Sequence, residues 1–140
     1  FSIMHLDLDY FKEVNDTMGH AAGDFVLQNV ARAMVDETRK DDTVARVGGD
    51  EFVIILNAMG DRTGMAHIAH RLIERIERPI SFEGRPCRIS VSIGIAVHDD
   101  PTLTPAMLLE QSDLALYASK RAGRAQYRFF EPSLYDLEKE

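Results

Sequence analysis

Hydrophobic and polar positions change period several times along the 140-residue chain. Ser2–Asp9 is mostly apolar with imperfect alternation, which predicts a strand carrying Asp7 and Asp9 at i and i+2 on one face. Residues 10–23 hold turn signals at Asn15-Asp16 and Met18-Gly19-His20 and read as an irregular stretch. From about 22 to 38, Leu27, Val30, Ala31, Met34 and Val35 recur at helical spacing. Residues 43–56 are two apolar, β-branched runs joined by Gly48-Gly49. That pattern predicts a hairpin, whose glycines could enter positive φ without steric cost.

A polar link over 57–64 leads to a second helix, with Ile68, Leu72 and Ile76 in register and Pro79 as its stop. Ile80–Phe82 and residues 87–97 read as strands joined around Glu83-Gly84. Thr104-Pro105 supplies an N-cap and a first-turn proline for a third helix that ends near Ala122, before Gly123. Residues 126–130 predict a last strand, and 134–140 look helix-like.

The order strand–helix–strand–strand–helix, followed by a small hairpin, a helix and a strand, fits an α+β fold. The expectation is a ferredoxin-like, palm-type antiparallel central sheet with its helices on one face. In that topology the end of the first strand, at Asp7, meets the start of the hairpin's second strand, at Asp50 and Glu51. Three carboxylates at one sheet edge repel one another and call for a cation. Hard oxygen ligands suit Mg²⁺ or Mn²⁺, and metal-assisted phosphoryl chemistry is the class of reaction they serve. A solvated hairpin tip is the plain alternative for Asp50 and Glu51.

Composition narrows the field. The length fits one domain with a real core, and no apolar run reaches the ~20 residues that span a bilayer, so no direct membrane insertion is expected of this segment. The net charge of −7 argues against broad nucleic-acid binding, while local cations and metal ions could still accommodate a polyphosphate. The single Cys87 has no internal disulfide partner, which suits a reducing compartment, and its strand-like surroundings suggest packing. The chain opens on Phe1, directly on a strand, so a fragment of a longer protein is expected.

Three spaced motifs then stand out: Asp7-Leu8-Asp9-Tyr10-Phe11-Lys12-Glu13-Val14-Asn15-Asp16, Gly19-His20-Ala21-Ala22-Gly23-Asp24, and Gly48-Gly49-Asp50-Glu51-Phe52. Together they resemble the GGDEF family of diguanylate cyclases over nearly the whole chain. The resemblance implies a nucleotidyl cyclase-like fold over residues 1–130, lacking the family's N-terminal segment. Residues 131–140 would be an exit helix or linker towards a downstream module, in many relatives an EAL phosphodiesterase domain, and upstream sensor domains would lie in the same protein. One departure is Ala125, where the family usually has asparagine.

The resemblance further implies that two GTP condense to cyclic di-GMP and two pyrophosphates, in the cytoplasm and as a homodimer. Asp7, the Leu8 carbonyl, Asp50 and Glu51 would hold Mg²⁺ or Mn²⁺, with Asp50, Glu51 and Lys12 serving catalysis. Which carboxylate is the base stays open, and Asp9 reads as structural. Asn15 and Asp24 would read guanine, since a carboxylate accepts from its ring N–H and exocyclic amine. Gly48 and Gly49 would lie against substrate, and Lys120 and Arg124 would meet the phosphates. Alone, Asn15 is a turn residue, Asp24 a helix-start charge, and Lys120 and Arg124 ordinary cations at a helix end. Arg39-Lys40-Asp41-Asp42 matches the family's inhibitory RxxD site, at which Arg39 and Asp42, with Arg71, would clamp cyclic di-GMP; a charged helix end is the alternative. A domain that binds GTP or cyclic di-GMP with little turnover is the competing reading.

Overall fold

The computed structural model describes residues 1–57 and 61–136. The elements run β1 (Ser2–Asp9), α1 (Phe11–Met18), α2 (His20–Asp36), β2 (Thr43–Arg46), β3 (Glu51–Leu56), α3 (Arg62–Glu77), β4 (Ile80–Phe82), β5 (Arg85–Cys87), β6 (Ser90–Val97), α4 (Pro105–Arg121) and β7 (Tyr127–Phe129). A short 3₁₀ turn, Pro132–Asp136, follows. It takes up the start of the tail, and the rest of the expected exit helix lies outside the described residues.

Among the described residues the central sheet has the order β2-β3-β1-β6-β7. All its neighbours are antiparallel except β6 and β7, which run parallel. β1 sits in the middle, and its register sets Asp7 opposite Glu51 on one side and Ser92 on the other. The α+β class and palm-like sheet are as the sequence predicts.

The helices, however, cover both faces. Met4, Leu6 and Leu8 of β1 and Ile93 and Ile95 of β6 pack in one core with Val26 and Val30 of α2 and Leu72 and Ile76 of α3. Ile3, Val53 and Ala96 point the other way, against Leu108 of α4. Alternation along β1 thus serves two apolar layers, and full burial of each large side chain stabilises the fold by about 1.5–3 kcal/mol. Gly94 makes the second layer possible: a Cβ there would lie 2.1 Å from the Leu116 nitrogen and 2.2 Å from the Ser112 oxygen of α4. Only a residue without a side chain lets the helix backbone approach β6 so closely.

Other expectations need correction in detail. Residues 11–18 form a helix rather than an irregular stretch, because Phe11 and Val14 are buried at i and i+3. Burial overrides the turn preference of Asn15-Asp16. The single strand expected over 87–97 is two, since β5 pairs with β4 in a separate hairpin while β6 joins the central sheet. The hairpin of β2 and β3 forms, but neither Gly48 nor Gly49 takes a positive φ. Arg46 closes that loop instead, donating from Nε to the Gly48 oxygen at 3.0 Å and from Nη2 to the Gly49 oxygen at 2.9 Å.

Candidate active site and a second cavity

The end of β1 is where the chain's charges collect. Asp7 and Asp9 share the sheet face that α4 covers, and both are buried, at 6% and 3% exposure. The Leu8 nitrogen donates to the Asp50 oxygen at 3.0 Å, which ties the hairpin loop to the strand end. Asp7, Leu8, Lys12, Asp50, Lys120 and Arg124 line one open pocket of 270 Å³. Segments more than a hundred residues apart in sequence therefore meet because β3 and β6 flank β1 and α4 packs over them.

Charge in this pocket is only partly balanced. Burial pushes the Asp7 carboxyl above the usual carboxylate range, and the Asp50 and Glu51 charges add to the rise; the Lys120 ammonium, bonded to Asp7, opposes it. The net direction is upward, so the ionised form of Asp7 is held at a cost even with Lys120 present.

Glu51 flanks this pocket without lining it. Its carboxylate lies 3.6 Å from His5 Nε2, and His5 Nδ1 lies 3.8 Å from Asp113 of α4. Among the described residues, no three His, Cys, Asp or Glu side chains form a cage for a metal by themselves. Two pocket carboxylates and a backbone carbonyl instead match the way Mg²⁺ is held, by one or two carboxylates with substrate phosphates completing the shell. The uncompensated charge around Asp7 is what a divalent cation would relieve, so the donor set fits.

Asn15 and Asp24 stand away from the pocket lining, Asn15 one turn beyond Lys12 on α1. The Asn15 side chain lies against Gly23: a Cβ on Gly23 would fall 1.9 Å from Asn15 Oδ1. Gly23 thus acts as the spacer that seats Asn15 next to the exposed start of α2, where Asp24 follows. The motif contained this glycine, but its role needed the α1–α2 packing to be read. Gly48 and Gly49 lie in the exposed loop before Asp50, outside the pocket lining.

Lys120 and Arg124 are not successive turns of one helix face. α4 ends at Arg121, and Arg124 adopts φ 65°, beyond the helix end. Its nitrogen donates to the Ser119 oxygen at 3.1 Å, the six-to-one closure of a glycine-stopped helix. Ala125 follows at φ 52°, which explains why asparagine, tolerant of the left-handed region, suits this position better.

A second cavity, of 390 Å³, lies between the end of α2 and α3. Arg39, Asp42 and Arg71 line it together with Leu56, Met65 and Ile68. Asp42 accepts from the Arg39 nitrogen at 2.8 Å and from the Asn57 nitrogen at 3.0 Å. Arg71 donates from Nε to Glu37 at 2.8 Å. Sequence reasoning brought these three residues together and overlooked Glu37, an ordinary helix-end carboxylate until α3 is packed beside it.

A family model described as diguanylate cyclase, GGDEF domain, matches residues 1–126. The diguanylate cyclase TpbB of Pseudomonas aeruginosa is 39% identical over 143 residues, covering 99% of this chain and 33% of that protein. The bifunctional diguanylate cyclase/cyclic di-GMP phosphodiesterase MucR of the same species is 41% identical over 96% of this chain and 19% of its own length. The chain thus spans a third or less of these curated relatives. Among solved structures, a TpbB mutant comprising only the GGDEF domain superposes with a TM-score of 0.92 at 38% identity, covering 97% of this chain and 80% of that one. The GGDEF domain of Caulobacter crescentus DgcB, solved with c-di-GMP, gives 0.86 at 31% identity, over 91% of this chain and 76% of its own.

Proposed function

The chain belongs to the GGDEF domain family, and from that premise we propose that it condenses two GTP into cyclic di-GMP and is restrained by its own product. The observation that carries the reading is the single pocket shared by Asp7, Asp50, Lys12, Lys120 and Arg124 at the end of β1. A divalent metal, Mg²⁺ or Mn²⁺, held by Asp7, Asp50 and the Leu8 carbonyl, with Glu51 at its flank, would neutralise the triphosphate and favour ionisation of the attacking 3′-hydroxyl.

The chain's own residues do the rest. Lys120 leaves its bond with Asp7 to meet a phosphate, so substrate replaces a carboxylate as the ammonium's partner. Arg124 and Lys12 bound the same pocket and orient the phosphoryl oxygens. Asn15 and Asp24, a short distance along α1 and α2, accept from the guanine edge; adenine offers an acceptor where guanine offers a ring donor and is disfavoured. One chain holds one nucleotide, and the hydroxyl must attack the α-phosphate of another, so two copies face each other for each product. In the second cavity Arg39 and Asp42, with Arg71, take cyclic di-GMP, the guanidinium fork on phosphate or a guanine edge.

Chromatography of the products after incubation with GTP and Mg²⁺ tests the reading. Cyclic di-GMP should accumulate, at a rate rising faster than linearly with protein concentration. Strict proportionality into the monomeric range would remove the two-copy arrangement. Binding of cyclic di-GMP without any product formation would leave a regulatory domain in its place.

A further inference from the structure

Three consecutive residues after α4 have positive φ: Gly123 at 122°, Arg124 at 65° and Ala125 at 52°. Two of them carry side chains, which disfavour this region, so the turn persists only where its surroundings over-determine it. The strain lies where a cation is aimed at the pocket. Backbone bonds to Ser119 and Lys120 close its helix side, and Asp9 ties its far side to the sheet. Its Oδ2 accepts from the Ala125 nitrogen at 3.2 Å and from Ser90 Oγ at 2.7 Å. Ser92 Oγ reaches Oδ1 at 2.8 Å and Oδ2 at 3.0 Å. Arg124 Nε stands 3.7 Å from Oδ1, and the guanidinium lies 5.9 Å from the Tyr10 ring centroid.

Asp9 therefore joins three elements at a buried point: the end of β1, the first residues of β6, and the turn behind α4. A solvated turn could satisfy the Ala125 nitrogen with water. A buried carboxylate needs its donors, and its charge faces the arginine side chain.

We infer that Asp9 is the positioning residue for Arg124: it pins the strained Gly123–Ala125 turn to the sheet and so sets the guanidinium at the mouth of the triphosphate pocket. The inference rests on the proposed phosphate role of Arg124. Asp9 borders the same pocket, but its oxygens are engaged by Ser90, Ser92 and the Ala125 nitrogen, and in this scheme it acts through the turn. Ser90 and Ser92 orient its two oxygens, one towards the backbone nitrogen and one towards the arginine.

The test is a binding cycle with 3′-deoxy-GTP and Mg²⁺, which occupies the pocket without reacting, measured by calorimetry on the full chain. Asp9→Asn leaves a single acceptor oxygen for donors that now use two, and should weaken binding about tenfold. In an Arg124→Ala background the same change should alter affinity less than about twofold, since the residue it positions is gone. Losses that multiply in the double variant would overturn the inference and make Asp9 a stability residue only. An Arg124→Ala variant that binds normally would instead overturn the phosphate reading, and the inference with it. Should Asp9→Asn not fold, Ser92→Ala removes one of the bonds that orient the carboxylate. It should weaken binding two- to threefold, again only when Arg124 is present, and multiplying losses would count against the pin in the same way.

Discussion

The two cavities are built on opposite plans. The pocket at the end of β1 draws on residues 7–13, Asp50, Lys120 and Arg124 and leaves a buried carboxylate short of compensation. The cavity at Arg39 draws on Glu37, Thr38, Arg39, Asp42, Leu56 and α3, and two of its charged side chains, Asp42 and Arg71, already have partners. Asp42 is fixed by two backbone nitrogens, one on each oxygen, with acceptor capacity left over, and Arg71 is held by Glu37. On the proposed reading the site that stabilises developing charge is left electrostatically unfinished, whereas the site that only binds has its carboxylate and one guanidinium fixed in advance. The first would then take a divalent cation and the second the anionic product.

The largest expected effect is that of removing the Asp50 carboxylate. Asp50→Asn should lower turnover by roughly 100-fold or more, the scale for one electrostatic group at a reacting centre. Calorimetric binding of cyclic di-GMP by the same variant should persist, because the second cavity shares no residue with the first. Arg39→Ala is the converse change. Loss of charge-assisted bonds should weaken cyclic di-GMP about ten- to hundredfold in calorimetry. Equal affinity with the parent would mean that Arg39 is only a solvated helix-end charge.

A smaller effect separates the pockets by stability rather than by ligand. The Asp7 carboxyl lies above its unfolded value, so the stability contributed by its protonated form is present at acid pH and is lost as pH rises through the folded value. Asp7→Asn should therefore raise the melting temperature at neutral pH, with an advantage that shrinks on acidification. Mg²⁺ should raise the melting temperature of the parent more than that of the variant. A variant that melts lower at neutral pH would show that the Lys120 bond outweighs the burial of the charge.

The smallest change sharpens the reading of the turn. Ala125→Asn should add about 0.5 kcal/mol in denaturant unfolding, because asparagine tolerates the left-handed region and alanine does not. No gain would mean that the turn's other bonds already absorb the strain.

Much of this protein can be read without coordinates. The period-2 and period-3.6 runs locate β1, α2, the β2–β3 hairpin, α3 and α4, and Thr104 caps α4 as expected, accepting from the Met107 nitrogen at 3.2 Å. The same reading anticipates that the end of the first strand at Asp7 meets the start of the hairpin's second strand at Asp50 and Glu51, and the structure sets Asp7 opposite Glu51.

Tertiary structure alone decided the rest. Residues 11–18 became helical because burying Phe11 and Val14 outweighs local turn preference. α4 took the second face of the sheet because Gly94 opens it, a consequence of one missing side chain that no periodicity reveals. Lys120 and Arg124 are four residues apart in sequence, but a left-handed turn separates them, and a buried Asp9 helps to hold that turn. Local sequence carries the elements through their hydrophobic period. Which charges end up sharing a pocket depends on contacts between residues far apart in the chain, and those exist only once the sheet has closed around β1.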